Sequence, residues 1–454
     1  MKIRKLLRLS FLSLVLVLGS CVSDSTVNSD TTLSSDAEIK SFSLAANTNV
    51  TTNLDKVFFT IDQQNNLIYN ADSIAFDSKI KNPLNLLTNI TFAAASKVMI
   101  KLEDGTSKTY QTTDSISYTK PFSIEVTAVD GNTTKSYKVQ LNIHKQNPNY
   151  LDSRALSFDG WNSTIFDSNK TVAFKNEFLN FLKTSSGILL FKTSTNDGLH
   201  WVLNSHNLPL TAQIETVTAF GNNLYIVTSD KDLYTSADGA VWSKASSSTG
   251  FSGIIGTLTD QDGIKRLIAI MTNDNNSYHL AASTDGITFA TYGDAVLPLD
   301  FPLSGFASLL KTIGITEKLT IVGGKDKAGN LLNSVQQMYW DKSGFHCGYN
   351  IENNGNWFTA REGGIAYNYD NKMVFACGKN QTHTYKDIYT SKNNGITWQK
   401  DTVNIFPSSF VTRANASAIV DMNNFIWIFG GVKDGTSLNE IWKGRFNRYG
   451  FIRQ

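Results

Sequence analysis

Trp357, Arg361 and Glu362 lie close together in the longest connection of the C-terminal half, and side chains of these types could bind a sugar. A flat aromatic ring packs against the C–H faces of a sugar, while charged and amide groups bond its hydroxyls. We add Trp340 and Arg413, from neighbouring parts of the chain, as further candidate ligand contacts. The alternative is that Trp357 covers a junction between repeats and touches no ligand.

Metal, thiol and nucleic-acid chemistry are not indicated. The six histidines include no pair at the close spacing of metal ligands. Cys347 and Cys377 are interpreted as two free thiols, with a disulfide between them as the alternative. A formal net charge of +2 over 454 residues gives no electrostatic footprint for nucleic acid. We therefore predict no metal, no cofactor and no nucleic-acid partner.

A recurring phrase indicates the elements that hold these residues. It occurs at 194–201, 235–242, 282–289 and 391–398, and in every copy a glycine stands three residues before an aromatic side chain. Glycine supplies the positive φ of a tight turn, and the polar residues before it can bond the turn backbone. The predicted structural turn residues are Ser194, Gly198, Trp201, Gly239, Trp242, Gly286, Phe289, Ser391, Gly395 and Trp398.

The phrase resembles the Asp-box of sialidase-like β-propellers, Ser-x-Asp-x-Gly-x-Thr-Trp. It departs from that form because the Asp position holds Asn196, Ala237, Thr284 and Asn393, while Asp197, Asp238 and Asp285 fall one place later. Segments 319–324 and 425–431 also resemble kelch repeats. These resemblances imply propeller geometry and do not carry over sialidase chemistry.

Residues 150–454 are accordingly predicted to form an Asp-box/kelch-like β-propeller. Four short strands in each repeat of roughly 45 residues is the composition of a propeller blade. Blade starts near Thr171, Glu215, Gly253, Gly305, Gly364 and Ala414 predict six blades. Seven is the alternative if 157–165 contributes strands of its own. The box-like turns are expected on one face and the long loops, where ligands usually bind, on the other.

Catalysis is less well supported. A sialidase-like site needs an arginine cluster, a tyrosine nucleophile with a carboxylate, and an acid/base aspartate. Arg266, Arg361 and Arg413 could converge from three blades, but the motif Phe-Arg-Ile-Pro is absent. No nucleophile elbow, P-loop or zinc helix motif occurs. We predict no catalytic residues, with a glycoside-active propeller as the alternative.

Residues 37–145 are predicted to form a β-sandwich. Apolar residues alternate with polar ones on both arms of a hairpin that turns at Asp130 and Gly131, as expected for strands with one buried face. The hairpin resembles the last hairpin of bacterial Ig-like or cadherin-like modules. This resemblance implies a spacer, with partner binding as the alternative.

The N-terminus predicts export. Basic residues between Lys2 and Arg8 precede an apolar run at 11–18 that is too short to span a bilayer. Residues 18–21 resemble a bacterial lipobox, so residues 1–20 are a predicted lipoprotein signal peptide and Cys21 the lipidated residue. An ordinary secretory peptide is the alternative. Residues 21–36 are a flexible tether whose opening resembles the export signals of Bacteroidota surface lipoproteins.

Taken together, these features resemble a Bacteroidota surface lipoprotein family of unknown function, with an Ig/cadherin-like domain followed by a propeller. Phrases at 59–62 and 68–73 are particular to the resemblance. We expect an outer-membrane protein, anchored by lipid and facing the cell surface, that binds a glycan or a protein partner without catalysis. A structural subunit of a surface complex is a further alternative.

Overall fold

The computed structural model describes residues 32–81, 84–245, 250–273, 275–292, 296–349 and 357–449. The predicted signal peptide, Cys21 and most of the predicted tether lie outside this range. Two units are present, and the division between them falls between Lys145 and Gln146. Within the described part, no helix is long and apolar enough to cross a membrane.

The N-terminal unit consists of two β-sheets that enclose one hydrophobic core. A three-stranded sheet has the order β1-β4-β7, and a six-stranded sheet has the order β2-β3-β9-β8-β5-β6. All pairs are antiparallel except β3 with β9. The strands are β1 (Ile39–Leu44), β2 (Thr60–Asp62), β3 (Leu67–Tyr69), β4 (Asn85–Phe92), β5 (Ala95–Lys101), β6 (Ser107–Thr109), β7 (Ser115–Ser117), β8 (Phe122–Ala128) and β9 (Thr134–Gln140).

The predicted hairpin of this unit is confirmed by the pairing of β8 with β9. Asp130 Oδ1 accepts hydrogen bonds from the N–H groups of Asn132 and Thr133, both at 2.9 Å, and Gly131 has φ +73°. The inward side chains of β8 join a buried cluster drawn from both sheets. Alternation of buried and exposed residues along β8 therefore comes from one face packing on the core.

The second unit contains six four-stranded antiparallel sheets among the residues that the structure describes, and we call each sheet a blade. Blade 1 holds β11 (Ser168–Phe174), β12 (Glu177–Thr184), β13 (Gly187–Ser194) and β14 (Val202–Asn204). Blade 2 holds β15 (Thr218–Phe220), β16 (Asn223–Val227), β17 (Leu233–Ser236) and β18 (Ser243–Lys244). Blade 3 holds β19 (Phe251–Thr259), β20 (Lys265–Thr272), β21 (Tyr278–Ser283) and β22 (Ala290–Tyr292).

Blades 4 to 6 follow in chain order. Blade 4 holds β23 (Ala307–Ile313), β24 (Thr316–Val322), β25 (Val335–Asp341) and β26 (Gly344–Tyr349). Blade 5 holds β27 (Glu362–Tyr369), β28 (Lys372–Lys379), β29 (Ile388–Ser391) and β30 (Gln399–Lys400). Blade 6 holds β31 (Ser417–Val420), β32 (Ile426–Phe429), β35 (Ile441–Phe446) and β10 (Leu151–Leu156), and a small hairpin of β33 (Val432–Lys433) and β34 (Thr436–Ser437) follows β32. Short 3-10 turns occur at Leu54–Lys56, Ile214–Thr216 and Asn447–Tyr449.

The blades form a closed ring. The first strand of each blade contacts the first strand of the next, and β31 contacts β11. Each of the six neighbouring blade pairs shares its own buried hydrophobic cluster. The hydrophobic core of this unit is therefore divided among the junctions between blades.

The ring closes between the two ends of the propeller sequence. Strand β10 pairs with β35 as the outermost strand of blade 6, a contribution that the sequence analysis did not predict. The buried side chain of Asn169 in blade 1 accepts a bond from the N–H of Gly431 at 2.7 Å and donates to the carbonyl of Phe429 at 3.1 Å. Ser417 Oγ accepts from the N–H of Thr171 at 2.8 Å. Buried side chains thus join backbones about 250 residues apart.

Candidate functional site

The repeated turns connect the third and fourth strands of blades 1, 2, 3 and 5. Trp201, Trp242 and Trp398 are buried beneath them. The indole N–H of each tryptophan donates to the carbonyl of the glycine three residues earlier, at 3.1, 2.8 and 3.2 Å. Phe289 fills the same place in blade 3 and is partly buried. The aromatic residue therefore fastens its own turn.

Three of the repeated turns each contain a serine that bonds the turn backbone. Of these, Ser391 was predicted from the sequence, whereas Ser236 and Ser283 were not. Ser236, Ser283 and Ser391 are buried, and the Oγ of each accepts from the N–H of the turn glycine at 2.8 Å. Two residues after each serine, Asp238, Asp285 or Asn393 accepts bonds from following backbone N–H groups. Aligning the repeats on serine brings these acceptors into register. Our alignment on glycine had displaced the two aspartates by one place.

Hydrogen bonding in these turns has an electrostatic consequence. The backbone N–H of Thr288, followed by that of Ile287, stabilises the Asp285 carboxylate and lowers its pKa to about 2. The first turn differs, because Ser194 is exposed and the Gly198 N–H donates to its carbonyl oxygen.

The turn glycines also fix contacts between blades. Gly198, Gly239, Gly286 and Gly395 all have positive φ, and each packs against a side chain of the preceding blade. A Cβ on Gly286 would clash with the hydroxyl oxygen of Tyr225. These glycines therefore serve both the turn and the junction, and the turn face is structural in its contacts.

Arg361 is buried in blade 5. Its Nη1 lies 2.6 Å from Asp387 Oδ1 and 3.2 Å from the carbonyl oxygen of Cys377, and its Nε donates to the Thr359 carbonyl. The guanidinium also lies 3.9 Å from the ring centroid of Tyr385. The guanidinium is surrounded by protein groups, so Arg361 stabilises the interior of the blade and does not face a ligand.

Arg413 repeats this arrangement in blade 6. Its Nη2 lies 2.6 Å from Glu440 Oε2, Nη1 donates to the Gly430 carbonyl at 2.8 Å, and its guanidinium lies 4.0 Å from the Phe410 ring centroid. The prediction that these two arginines face a ligand is corrected here, because both side chains are fully buried. Their acidic partners lie 26 and 27 residues further along the chain, so sequence spacing alone did not reveal them.

The candidate tryptophans also have structural surroundings. Trp340 is buried in the cluster between blades 3 and 4, so it too is corrected as a ligand contact. Trp161 is fully buried and packs on Trp201. Trp357 is half-buried against the cluster between blades 4 and 5. Its position agrees with the junction alternative, although part of its connection, 350–356, lies outside the described residues.

Glu362 lines a pocket of about 550 Å³ at the other end of the blades from the repeated turns. The walls come from the loops after the second strands of blades 4, 5 and 6 and from the segments that enter the first strands of blades 5, 6 and 1. We call this the loop-face pocket. Its lining residues are Asp167, Lys325, Gly329, Leu331, Glu362, Lys379, Asn380, Gln381, Thr382, His383, Thr384, Ala414, Asn415, Val432, Asp434 and Gly435.

Polar groups of both hydrogen-bonding types surround the loop-face pocket. Lys325 Nζ pairs with Glu362 Oε2 at 2.7 Å, and Thr384 Oγ1 donates to Asp434 Oδ1 at 3.2 Å. The side chain of Asn380 accepts from the N–H of Thr382 at 2.9 Å, which holds the exposed tip of the blade 5 loop. A polar ligand would meet amides, hydroxyls, lysines and carboxylates on a wall held by blade structure.

No group of three or more histidine, cysteine, aspartate or glutamate side chains that could hold a metal occurs among the described residues. Cys347 and Cys377 are free thiols, as predicted. Burial raises the pKa of Cys377 to about 12, so its thiol stays protonated.

The strands and sheets define an all-β protein with a β-propeller, which confirms the predicted fold class. Residues 159–454 match the family model described as the DUF6242 beta propeller domain, and residues 26–141 match that of the Domain of unknown function (DUF6242) N-terminal domain. The chain belongs to the DUF6242 family. A solved structure titled "Structure of YjhT" is similar at a TM-score of 0.45 and 15% identity, over 62% of this chain and 94% of that chain. No curated protein matches.

Proposed function

We propose that the propeller binds a hydroxyl-rich ligand, a glycan, in the loop-face pocket. The observation that carries this proposal is a pocket of about 550 Å³ whose walls combine hydrogen-bond donors and acceptors. Sugar hydroxyls both donate and accept, so they need neighbours of both kinds. Rigid blades hold the loops that supply these groups, which lowers the entropic cost of binding.

The charge of the pocket favours a neutral or weakly charged ligand. Its lining includes two lysines, Lys325 and Lys379, and three carboxylates, Asp167, Glu362 and Asp434. Because Lys325 already pairs with Glu362, much of this charge is compensated within the protein. A protein partner is the alternative ligand for the same loops.

We also propose that the protein lies in the outer membrane and faces outward. Lipidation of Cys21 after removal of residues 1–20 would anchor the chain, and the N-terminal sandwich would act as a spacer for the propeller. The lipobox-like residues 18–21 support this placement.

A glycoside-active pocket is the second candidate function. Most glycosidases use a pair of carboxylates, and Glu362 and Asp434 are both in the pocket wall. The same binding experiment separates this candidate, because an active enzyme shortens the polymer that it binds.

The test is affinity electrophoresis of soluble protein beginning at Val22 in gels that each contain one polysaccharide from a host and dietary panel. We expect retardation in at least one gel, with affinity weakened about tenfold in Lys379→Ala/Gln381→Ala, which removes two exposed pocket side chains. Lys392→Ala, on the turn face of the same blade, should bind like the parent protein. Polymer degradation would favour the enzyme.

Trp357→Ala is a second comparison in the same gels. Loss of retardation in this variant with no effect of the pocket variant would move the ligand from the pocket to the connection before blade 5. If no polymer retards the parent protein, the glycan proposal fails for that panel and protein partners become the next candidates.

A further inference from the structure

A cluster of cations occupies the outer half of one face of blade 6. Lys443 on β35 stands opposite Arg154 on β10 and opposite Trp427 on β32. Arg445, two residues after Lys443, lies on the same face with its guanidinium 4.2 Å from the ring centroid of Phe425. We call Arg154, Lys443 and Arg445 the blade 6 cation cluster.

None of these cations forms an ion pair with a carboxylate in the part of the chain that the structure describes. Asp152 stands opposite Arg445 in the strand register but makes no ion pair with it. Asp421 is near enough for its charge to act on Lys443 but forms no ion pair with it, and its Oδ2 accepts from the Trp427 indole at 2.8 Å. Burial lowers the pKa of Lys443, the nearby charge of Asp421 opposes that shift, and the charges of Arg445 and Arg154 lower the pKa further.

The junction between blades 1 and 2 has a lysine at the equivalent position, and that lysine makes a structural hydrogen bond. Lys192 stands opposite Leu179 in blade 1, and Leu179 packs against the turn at Gly239 of blade 2. Lys192 Nζ donates to the carbonyl of Asp238 in that turn at 2.6 Å. This lysine therefore caps the neighbouring turn.

Lys443 occupies the same register position in blade 6 but makes no such hydrogen bond to the neighbouring turn. Its cross-strand partner Trp427 packs against the turn at Gly198 of blade 1. The Trp427 indole is larger than the Leu179 side chain, and Lys443 Nζ lies over it, 3.9 Å from the ring centroid. The ammonium group therefore stays beside Arg445 and Arg154, part-exposed, and does not cap the turn. Three like charges held together by strand register repel one another, and an anion would relieve that repulsion.

We infer that the blade 6 cation cluster binds an oxyanion, a phosphate, sulfate or carboxylate group of a ligand distinct from that of the loop-face pocket. Guanidinium groups offer paired N–H donors that match the oxygens of such groups, and the ammonium of Lys443 adds a point charge. The rings of Phe425 and Trp427 form an apolar floor that reduces competition from water.

The test measures binding of inorganic phosphate and inorganic sulfate to the mature protein by NMR of the lysine ammonium and arginine guanidinium signals. We expect shifts at Lys443 and Arg445 that saturate, and at least about tenfold weaker binding in Lys443→Met/Arg445→Met. Lys183→Met/Lys265→Met, which alters two exposed lysines elsewhere in the propeller, is the control of equal net charge. Thermal unfolding of both double variants verifies that they are folded.

Two further arms identify the source of the anion, a sulfated dextran and vesicles that contain an anionic phospholipid. Tighter binding in one arm than to the free ions, lost in Lys443→Met/Arg445→Met and kept in the control, assigns the source. Equal weakening in both double variants would mean nonspecific attraction and would overturn the inference. So would a lack of saturable shifts at Lys443 and Arg445 with either free ion.

Discussion

The two ends of the propeller blades are stabilised by different chemistry. At the turn face, one short motif recurs, and all its hydrogen-bonding groups lie within a few residues of each other. At the loop face, blades 5 and 6 are stabilised by the ion pairs Arg361–Asp387 and Arg413–Glu440, in which the arginine is buried and the carboxylate is partly exposed, and whose members are far apart in sequence. Local repetition builds one face, and long-range ion pairs support the other.

This difference explains where ligand-binding variation can occur. The turn glycines contact the preceding blade, so a change there disturbs both a turn and a junction. At the loop face, the arginine pairs stabilise the blades below the loops. We therefore expect exposed side chains such as Lys379, at the end of β28, and Gln381, in the loop after it, to tolerate substitution.

The largest expected effect is that of Arg413→Ala. Removing the buried Arg413 side chain leaves a cavity and deprives the Gly430 carbonyl of its donor, so we expect a loss of about 3–5 kcal/mol in the free energy of unfolding. Chemical denaturation of the propeller measures this loss. Arg154→Ala, which removes an exposed arginine from the same blade, should change stability by less than about 0.5 kcal/mol. A small loss in both variants would contradict the bracing role.

Gly286→Ala tests the turn face and should rank second. The new Cβ would clash with Tyr225 and would also require positive φ, so we expect a cost of about 2–4 kcal/mol. Gly263→Ala is the matched control, because Gly263 has φ +78° but no neighbouring atom within 4 Å of the added Cβ. It should cost only about 1–2 kcal/mol. Equal costs would show that the junction contact contributes nothing.

The smallest effect concerns pH and the turn carboxylate of Asp285. Its folded pKa of about 2 lies below the ordinary aspartate pKa of 3.8, so its stabilising contribution is present above pH 4 and is lost as pH falls towards 2. Asp285→Asn keeps the acceptor, as Asn393 does in blade 5, but removes the titration. The melting temperature of this variant should therefore fall less steeply over that pH range.

Asp262→Asn provides the control for this pH series, since it makes the same change in charge at an exposed position of the blade 3 hairpin. An identical pH profile for Asp285→Asn and the parent protein would remove Asp285 from the account of turn stability.

Local patterns predicted the repeats well, because a turn with its glycine and aromatic residue is complete within one short phrase. The start of blade 2 was predicted near Glu215 and lies at Thr218, and the hairpin at Asp130 was also placed correctly. Strand β10 was missed because its partner β35 lies at the opposite end of the propeller sequence. No local pattern connects two such strands.

The candidate site was predicted less well, for the same reason. Arg361 and Arg413 are charged residues beside long loops, which is typical of ligand contacts, but Asp387 and Glu440 neutralise them from within the blades. Glu362 was chosen from sequence and does line the pocket. Its neighbour Lys379 stands opposite it where β27 pairs with β28, and Gln381 lies in the loop that follows β28. Neither was singled out, because the sequence analysis did not establish how these strands pair.

Amide hydrogen exchange of the mature protein, with and without the polysaccharide that retards it most, tests the central claim most directly. We predict slower exchange on binding in the loop tips at 379–384 and 432–435, with no change in the turns at 235–242 and 282–289. Protection of the turns in place of the loop tips would contradict ligand binding in the loop-face pocket.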